Sequence, residues 1–241
     1  MHQFAIFIYR IIIQVYGLGI RLAAIFSPKA KLWVAGRKNI FTELTDAFQN
    51  EKAPVIWMHC ASLGEFEQGK PLIEHLKQDY PHYKILLTFF SPSGYEIRKD
   101  YPLADYVFYL PLDTPSNANQ FLDIVRPKLV FFIKYEFWYF YLSALQKRRI
   151  KHYLIAGIFR KSQFFFKKYA KWYLTVIQGF DYLFLQEEHS KELLAQHQIE
   201  HCEVVGDTRI DRVLGIAIEA SPIPLIKQFK GERKLLMIGS A

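Results

Sequence analysis

The sequence contains only two cysteines, Cys60 and Cys202, and both lie in apolar runs far from each other. No CxxC pair and no Cys/His cluster with metal-ligand spacing occurs, which argues against a structural zinc site. Two separate core thiols are typical of a protein in a reducing compartment, so we expect a cytoplasmic location without disulfides.

Several common catalytic motifs are missing as well. The first predicted strand is not followed by GxGxxG, and neither GxxxxGK[ST] nor GxSxG occurs. These absences argue against dinucleotide dehydrogenases, P-loop enzymes and α/β-hydrolases. No DxD pair of the kind that holds a metal-bound nucleotide diphosphate is present, so we expect chemistry without a metal or another cofactor.

Acidic residues are the scarcer charge. The 241 residues include 31 Lys and Arg but only 23 Asp and Glu, which gives a formal net charge of +8. This surplus favours an anionic partner, namely nucleic acid, an acidic membrane surface or a phosphorylated substrate. The hydrophobic fraction of 51% predicts a substantial buried core, in one large domain or two small ones.

The N-terminus is a candidate membrane segment. Residues 4–26 are mainly apolar, but Arg10 and Arg21 interrupt them. At about 100° per residue, the two arginines lie within about 20° of each other around a helix. The same side carries Gln3, Gln14 and Gly17. This narrow polar stripe predicts a helix that lies at a bilayer interface.

Other interpretations of this helix stay open: a tilted spanning helix, or a helix that simply covers the soluble domain. A cleaved signal peptide is disfavoured because the basic residues lie inside the apolar run. A basic run follows and predicts a cytoplasmic side next to anionic lipid. It consists of Lys29, Lys31, Arg37 and Lys38.

Beyond residue 53 the chain alternates short apolar runs with amphipathic segments. Strands are predicted at residues 54–60, 84–90, 105–111, 128–135, 152–159, 181–186 and 202–207. Helices are predicted at residues 70–80, 117–126, 138–149 and 190–198. Because the strands lack strict alternation, both faces of the sheet should be buried. We therefore expect an α/β fold, a Rossmann-like parallel sheet with helices on both faces.

Four strand ends carry candidate functional residues, since ligands of such sheets bind at the carboxyl edge. They are the segment with Ser62, Gly64 and Glu65, the segment from Ser91 to Glu96, Asp113, and Glu136. Each also has an ordinary structural interpretation, as a helix N-cap or as a first-turn carboxylate that favours the helix dipole. Two carboxylates at equivalent strand ends, Glu65 and Glu136, could face one cleft for acid/base chemistry.

A basic and aromatic segment, residues 159–173, is a second candidate. Arg160 and Lys161 begin a series of cations that could bind phosphates, with the aromatic side chains in a core or in lipid. The alternative is an amphipathic helix with a solvated basic face. Nucleic-acid binding is disfavoured because the aromatic residues cluster as a buried face does.

Five segments, taken in order, resemble the 3-deoxy-D-manno-octulosonic acid (Kdo) transferase family, which attaches Kdo to lipid A. They are HCASLGE, TFFSPSGYE, YLPLDTP, KYEFW and VVGDTRID. The first is similar to that family's His-x-x-Ser-x-Gly-Glu turn, and the fourth to its Glu-Thr-Glu-Leu-Trp. The resemblance covers nearly the whole chain. Departures are Lys134 in place of the first Glu, Tyr139 in place of Pro, and the segment IFRKSQ.

The resemblance implies a GT-B architecture, in which an N-terminal domain takes the lipid acceptor and a C-terminal domain takes the donor CMP-Kdo. It implies that Glu65 is the general base of an inverting, metal-independent transfer to lipid A precursor, and that Glu136 is a second important acid. The expected substrate-binding residues are Ser62, Gly64, Ser91, Ser93, Gly94, Arg160 and Lys161.

The expected division of the chain has three parts. Residues 1–27 form a membrane-associating helix, residues 28–215 a Rossmann-like acceptor domain, and residues 216–241 a linker with the start of a missing donor domain. Without that domain we expect no CMP-Kdo site. Rival hypotheses are another GT-B glycosyltransferase with a lipid-linked acceptor and a non-catalytic module that binds anionic lipid. The oligomeric state is left open.

Overall fold

The computed structural model describes residues 2–219 and 223–236. The described residues form seven strands: β1 (Val55–Cys60), β2 (Lys84–Phe89), β3 (Tyr106–Tyr109), β4 (Leu129–Ile133), β5 (Lys151–Gly157), β6 (Tyr182–Leu185) and β7 (Cys202–Val204). Each predicted strand is confirmed. All pair in parallel in the order β3-β2-β1-β4-β5-β6-β7, so the strand order reverses between β1 and β4.

Helices connect the strands and cover both faces of the sheet. They are α1 (His2–Ala23), α2 (Pro28–Ala35), α3 (Ile40–Phe48), α4 (Leu63–Asp79), α5 (Pro92–Arg98), α6 (Pro115–Val125), α7 (Tyr139–Lys147), α8 (Leu174–Gln178), α9 (Glu188–Ala195), α10 (Thr208–Glu219) and α11 (Pro224–Lys230). Short 3-10 helices cover Phe164–Phe166 and Lys168–Tyr173. The final apolar run of the sequence lies mostly outside the described residues.

Three short helices share one start signal, a hydroxyl residue followed by proline. Ser27, Ser91 and Thr114 are the N-caps of α2, α5 and α6, and each side chain accepts a backbone N–H of its helix. Proline at the first helical position costs no hydrogen bond there and has its φ already fixed in the helical range. The sequence therefore contained a usable signal for α2 and α5.

The core has two layers, one on each face of the sheet. Alternate residues of β1 divide between them, with Trp57 on the first face and Met58 on the second. Helices α3, α6, α7, α8 and α9 contribute to the first layer, and α4 to the second. Helix α10 packs against α4. The α/β fold with a parallel sheet buried on both faces is confirmed.

Helix α1 lies along the domain and packs through one narrow stripe. Ile6 and Tyr9 pack on the first core layer, and Ile13 and Gly17 are buried farther along. A Cβ on Gly17 would lie 2.7 Å from the side chain of Leu112, so glycine permits this close approach. By helical angle, Gly17 shares a stripe with Arg10 and Arg21. In the structure Gly17 is buried against the domain, whereas both arginines are exposed.

The opposite side of α1 is apolar and exposed. Among the described residues, α1 is the one helix long and apolar enough to cross a membrane, judged by length and composition. Its exposed large apolar side chains are Phe4, Phe7, Ile8, Ile11, Ile12, Val15, Leu18 and Leu22, followed by Ile25 and Phe26. One helix thus has a side fixed to the domain and an uncovered apolar side.

Arg37 is not available to lipid, contrary to the expectation for the basic run. Its guanidinium donates to the carbonyl oxygens of Leu110 at 2.9 Å, Phe90 at 2.7 Å and Trp33 at 3.1 Å. Burial lowers the pKa of Arg37 to about 9, which leaves the group charged at neutral pH. Arg37 instead fastens α2 to the ends of β2 and β3.

Candidate active site

The candidate active site lies where β1 and β4 end side by side. The strand order reverses between these two strands, and open α/β sheets bind ligands at such a switch point. His59, near the end of β1, is fully buried, and its Nε2 lies 3.2 Å from Oε2 of Glu136. Glu136 follows β4 and is only 8% exposed. The two strand ends therefore share a buried imidazole and carboxylate.

Thr88 fixes the opposite side of the His59 ring. These residues are register partners in β1 and β2, and His59 Nδ1 lies 2.8 Å from Thr88 Oγ1. The same hydroxyl oxygen accepts the indole N–H of Trp57 at 2.8 Å. Because that oxygen already accepts one hydrogen, its own hydrogen can go to Nδ1, and Nε2–H then donates to Glu136. Thr88 Oγ1 also lies 3.5 Å from the carbonyl oxygen of Met58, and Nε1 of Trp138 lies 3.2 Å from His59 Nε2, so the network accommodates either ring tautomer of His59.

Trp138 holds Glu136 from another direction. Its indole Nε1–H donates to Glu136 Oε2 at 2.7 Å, and its ring lies 4.7 Å, centroid to centroid, from that of Phe90. The loop between β4 and Trp138 begins with Lys134, whose φ of 71° is in the left-handed region. A non-glycine residue there costs about 1–2 kcal/mol, so the neighbouring contacts must hold this loop in place.

Glu65 lies in the first turn of α4, just beyond the end of β1. Ser62 is the N-cap of this helix, but its side chain caps no backbone N–H. The Ser62 hydroxyl donates instead to Oε2 of Glu65. The usual capping box, in which N-cap and third-residue side chains bond each other's backbone, is therefore replaced by a side-chain pair. Ser62 orients the Glu65 carboxylate and occupies one of its two oxygens.

Besides burial, both candidate carboxylates raise the pKa of the Cys60 thiol. Burial raises the pKa of Cys60 well above its usual value, and the negative charges of Glu65 and Glu136 raise it further. Cys60 is therefore a protonated core thiol, as the sequence predicted. Glu65 follows β1 and Glu136 follows the neighbouring strand β4, so the two predicted acids lie at the same edge of the sheet.

Asp113 has a different role from the one predicted. Thr114 is the N-cap of α6, so the assignment of Asp113 as an N-cap of the following helix is wrong. The buried Asp113 carboxylate accepts the N–H groups of Phe140 at 3.1 Å and Tyr141 at 3.0 Å, at the start of α7. It also accepts the hydroxyl of Tyr9 at 2.7 Å. One carboxylate thus joins α1 to the helix that follows Glu136.

Burial dominates the ionisation of Asp113. Loss of solvation raises its pKa to about 6, although the Tyr9 hydroxyl and the backbone N–H groups of α7 act in the opposite direction. The same environment raises the pKa of Tyr9 far above its usual value, chiefly through burial and then through the charge of Asp113. Tyr9 is therefore neutral and donates a hydrogen bond to the Asp113 carboxylate, whose charged form is disfavoured by burial.

The second predicted segment forms the start of α5. Ser91 accepts the N–H of Ser93 at 3.3 Å, which confirms the N-cap interpretation of Ser91. A Cβ on Gly94 would lie 2.2 Å from the ring of Phe89, so packing requires glycine at this position. The substrate-binding role of Ser91, Ser93 and Gly94 stays a prediction beside these structural roles.

Arg160 and Lys161 lie after β5 and are exposed. The segment 159–173 forms two short 3-10 helices, and the alternative of one amphipathic helix is wrong. Phe165 and Tyr173 are buried in the first core layer while the lysines of this segment face solvent. A role of Arg160 and Lys161 in substrate binding stays a prediction.

Sequence reasoning missed the partners of Glu136. His59 lies in the segment HCASLGE and Trp138 in the segment KYEFW, but the sequence indicated no function for either residue. Thr88 was predicted only as a strand residue. A signal for His59 existed, since alternation places this polar residue on the same buried face as Trp57. No sequence spacing points to Tyr9 as a partner of Asp113, because the two residues are 104 positions apart.

Among residues 2–219 and 223–236, no group of three His, Cys, Asp or Glu side chains could hold a metal ion. Metal-independent chemistry stays a prediction.

The fold and the position of the site define a Rossmann-like domain of the GT-B kind. A solved structure with the same fold is the UDP-GlcNAc 2-epimerase of Methanocaldococcus jannaschii in complex with UDP-GlcNAc and UDP. The TM-score is 0.54 at 17% identity, over 74% of this chain and 53% of that chain. At this identity the likeness concerns the fold alone.

Residues 36–212 match the family described as 3-Deoxy-D-manno-octulosonic-acid transferase (kdotransferase). The chain belongs to this Kdo transferase family. The 3-deoxy-D-manno-octulosonic acid transferase of Haemophilus influenzae is 39% identical over 84 residues, which are 34% of this chain and 20% of that protein. The enzyme of the same name from Chlamydia trachomatis serovar D is 26% identical over 202 residues, which are 80% of this chain and 46% of that protein. The chain spans less than half the length of these relatives.

Proposed function

We propose that this chain is the acceptor-binding half of a membrane-associated glycosyltransferase. The reaction is transfer of Kdo from CMP-Kdo to a lipid A precursor, lipid IVA, in lipopolysaccharide biosynthesis. The observation that carries the proposal is the placement of Glu65 and Glu136 at the same edge of the sheet, at the switch point, in a chain of the Kdo transferase family.

In this mechanism Glu65 is the general base. A sugar hydroxyl oxygen of the acceptor attacks the anomeric carbon of Kdo, and its proton passes to the Glu65 carboxylate. The bond between that carbon and the phosphate oxygen of CMP breaks, CMP leaves with the bonding electrons, and the configuration inverts. Because Ser62 donates to Oε2, the proton goes to Oε1 of Glu65. A general base placed in this way contributes about 10²–10⁴-fold to the rate.

Glu136 has an electrostatic and positioning role. Its Oε2 already accepts from Trp138, and the His59 network holds the same oxygen. The Glu136 carboxylate is held in place by these two contacts. Its negative charge therefore stabilises the positive charge that develops on the sugar ring in the transition state. Its low exposure strengthens this effect, because little water screens the charge.

The exposed side of α1 supports a position of the enzyme at the cytoplasmic face of the inner membrane. A fully buried large apolar side chain is favourable by about 1.5–3 kcal/mol, and α1 leaves many such side chains uncovered. Because the packed stripe holds α1 along the domain, the helix can enter one interface with its outer side. This supports interfacial docking over a spanning helix among the three interpretations.

The test is a transfer assay with CMP-Kdo and lipid IVA. It compares this chain alone with a fusion of the chain to the carboxyl-terminal half of the Haemophilus influenzae relative. Kdo transfer by the fusion, lost on Glu65→Gln, supports the proposal. Lipid IVA binding by the chain alone, measured by calorimetry in detergent, tests the acceptor assignment even if the fusion does not fold. A chain that folds but binds only vesicles, and no lipid IVA, supports the non-catalytic lipid-binding module instead.

A further inference from the structure

A cavity of about 530 Å³ lies between the second half of α1, helix α2, the start of α3 and the segment after β3. It is separate from the His59–Glu136 network, and no step of the proposed transfer uses it. Its walls include Gly17 and Arg21 of α1, Trp33 of α2, and residues 37–42. The far wall is formed by Pro111, Leu112 and Asn117.

The charge of this cavity is entirely positive. Its lining residues, all within the described part of the chain, include Arg21, Arg37 and Lys38 but no Asp or Glu. Arg37 donates three of its five N–H hydrogens to backbone carbonyls, which fixes its guanidinium in the wall of the cavity. Arg21 and Lys38 are exposed and form no ion pair with another described residue. Two exposed cationic side chains, Arg21 and Lys38, therefore line the cavity.

The lining of the cavity also includes N–H donors that have no hydrogen-bond partner among the described residues. The first turn of the nine-residue helix α3 lines it, and the N-cap Asn39 makes no side-chain hydrogen bond to that turn. The N–H groups at a helix N-terminus carry partial positive charge and bind anions. The indole N–H of Trp33 belongs to a side chain that lines the cavity. It is buried and has no hydrogen-bond partner among the described residues.

The position of the cavity indicates which anion it binds. Arg21 lies on α1 between Leu18 and Leu22, whose side chains are exposed on the apolar side of the helix. Ile25 and Phe26, just beyond the helix, are exposed as well. A phosphate that carries acyl chains could therefore leave its head in the cavity and its chains along this surface. A free phosphate would not use the apolar part of the site.

We propose that the cavity between α1, α2 and α3 binds the phosphate group of a bilayer phospholipid. Arg21, Lys38 and the N-terminal turn of α3 are its ligands. The site fixes the rotation and depth of α1 at the interface, and in this sense it rests on the proposed membrane function. Phosphate recognition by cations and backbone N–H groups together is typical of such sites.

The experiment is an NMR titration of the indole N–H of Trp33, assigned with Trp33→Phe, using dihexanoyl phosphatidylglycerol below its micelle concentration. We expect a saturable shift. Arg21→Ala with Lys38→Ala should weaken binding by about tenfold or more, equivalent to about 1.4 kcal/mol. Arg10→Ala with Lys31→Ala removes the same charge from exposed positions outside the cavity and should leave the affinity within about twofold.

Three results would overturn the proposal. They are a linear, non-saturable shift, equal weakening by the two double variants, and an equal response to inorganic phosphate or to lipid IVA alone. Because the probe is monomeric, the titration does not depend on bilayer docking. Failure of this site and failure of the proposed membrane function can therefore be told apart by sedimenting the same variants with vesicles.

Discussion

Oε2 of Glu136 lies 3.2 Å from Nε2 of His59 and 2.7 Å from Nε1 of Trp138. A single carboxylate oxygen is thus held by two side chains that come from different strand ends. This relationship separates the two candidate acids. Glu136 is buried between two ring nitrogens, whereas the hydrogen-bond partner of Glu65 in the described part of the chain is a serine hydroxyl at the helix start. The fixed Glu136 carboxylate is suited to electrostatic stabilisation, and the less constrained Glu65 carboxylate is suited to accept a proton as general base.

Glu65→Gln should abolish Kdo transfer in the fusion protein while lipid IVA binding persists. The loss expected for a general base is about 10²–10⁴-fold in kcat. Glu67→Gln is the matched control, since it neutralises a carboxylate two residues along the same helix that pairs with Arg98 at 2.7 Å. Steady-state kinetics and calorimetry check both variants. Near-normal turnover of Glu65→Gln would show that another group accepts the proton.

Trp138→Phe should lower kcat by about tenfold, because a charge-assisted hydrogen bond to Glu136 contributes about 1.5–3 kcal/mol. The phenyl ring keeps the contact with Phe90, so the loss of stability should not exceed that of this one hydrogen bond. The ¹⁵N shifts of the His59 ring in the chain alone should move as well, because Trp138 and His59 share one oxygen of Glu136.

The control for this variant is Trp172→Phe, which alters an indole that packs on Tyr9 and Tyr139 instead of Glu136. It should leave the His59 shifts unchanged. If Trp172→Phe moves them as much as Trp138→Phe does, the indole of Trp138 has no specific effect on the pair.

Gly94 and Gly64, each near the start of a helix, should differ in how substitution by alanine changes the stability of the fold. Gly94→Ala places a Cβ 2.2 Å from the ring of Phe89 and should destabilise the fold by about 1–3 kcal/mol. Gly64→Ala meets only Ser62 Oγ at 3.7 Å, so stability should be kept. If the acceptor approaches the backbone at Gly64, this variant should raise KM for lipid IVA. Urea denaturation and kinetics separate the two effects.

Asp113 should make stability fall as the pH rises. Its pKa is raised from 3.8 to about 6 in the folded chain, so the folded state binds more protons than the unfolded state between these values. The contribution is therefore present below about pH 4 and lost on passing pH 6, with a size of about 2–3 kcal/mol. Asp113→Asn should remove this dependence.

Urea denaturation between pH 4 and pH 7 measures this effect. Asp46→Asn is the control, because it changes the same formal charge at an exposed position of α3. The pH profile of Asp46→Asn should match that of the unchanged protein. A profile for Asp113→Asn that also matches it would assign the dependence to other groups.

Val15→Asp together with Leu22→Asp should release the chain from anionic vesicles. Both side chains lie on the exposed side of α1, so the folded domain should keep its stability while transfer to the bilayer becomes costly. Ile97→Asp, an exposed apolar position on α5, serves as control. Unchanged sedimentation of the α1 variant with phosphatidylglycerol vesicles would contradict interfacial docking.

The parallel sheet was predictable because each strand is a short apolar run bounded by polar turns, and periodicity alone finds such runs. The two carboxylates followed from their places after β1 and β4. Their partners did not, because the order of strands in space brings Thr88 and Trp138 to His59, and that order is not written in local sequence. The burial of Gly17 was not predictable for a similar reason. Helical angle gives the side of a residue, but only the packed domain decides which side is covered.

Tyr9 bonds a carboxylate that follows it by 104 residues. At about 5–20 residues per second, a ribosome needs about 5–20 seconds to add that stretch, and α7 emerges later still. Throughout this interval the newly made N-terminal helix has no domain to lie on. Under the proposed membrane association, its exposed apolar side can meet lipid during this interval, and the sheet is then assembled beside a helix already in place.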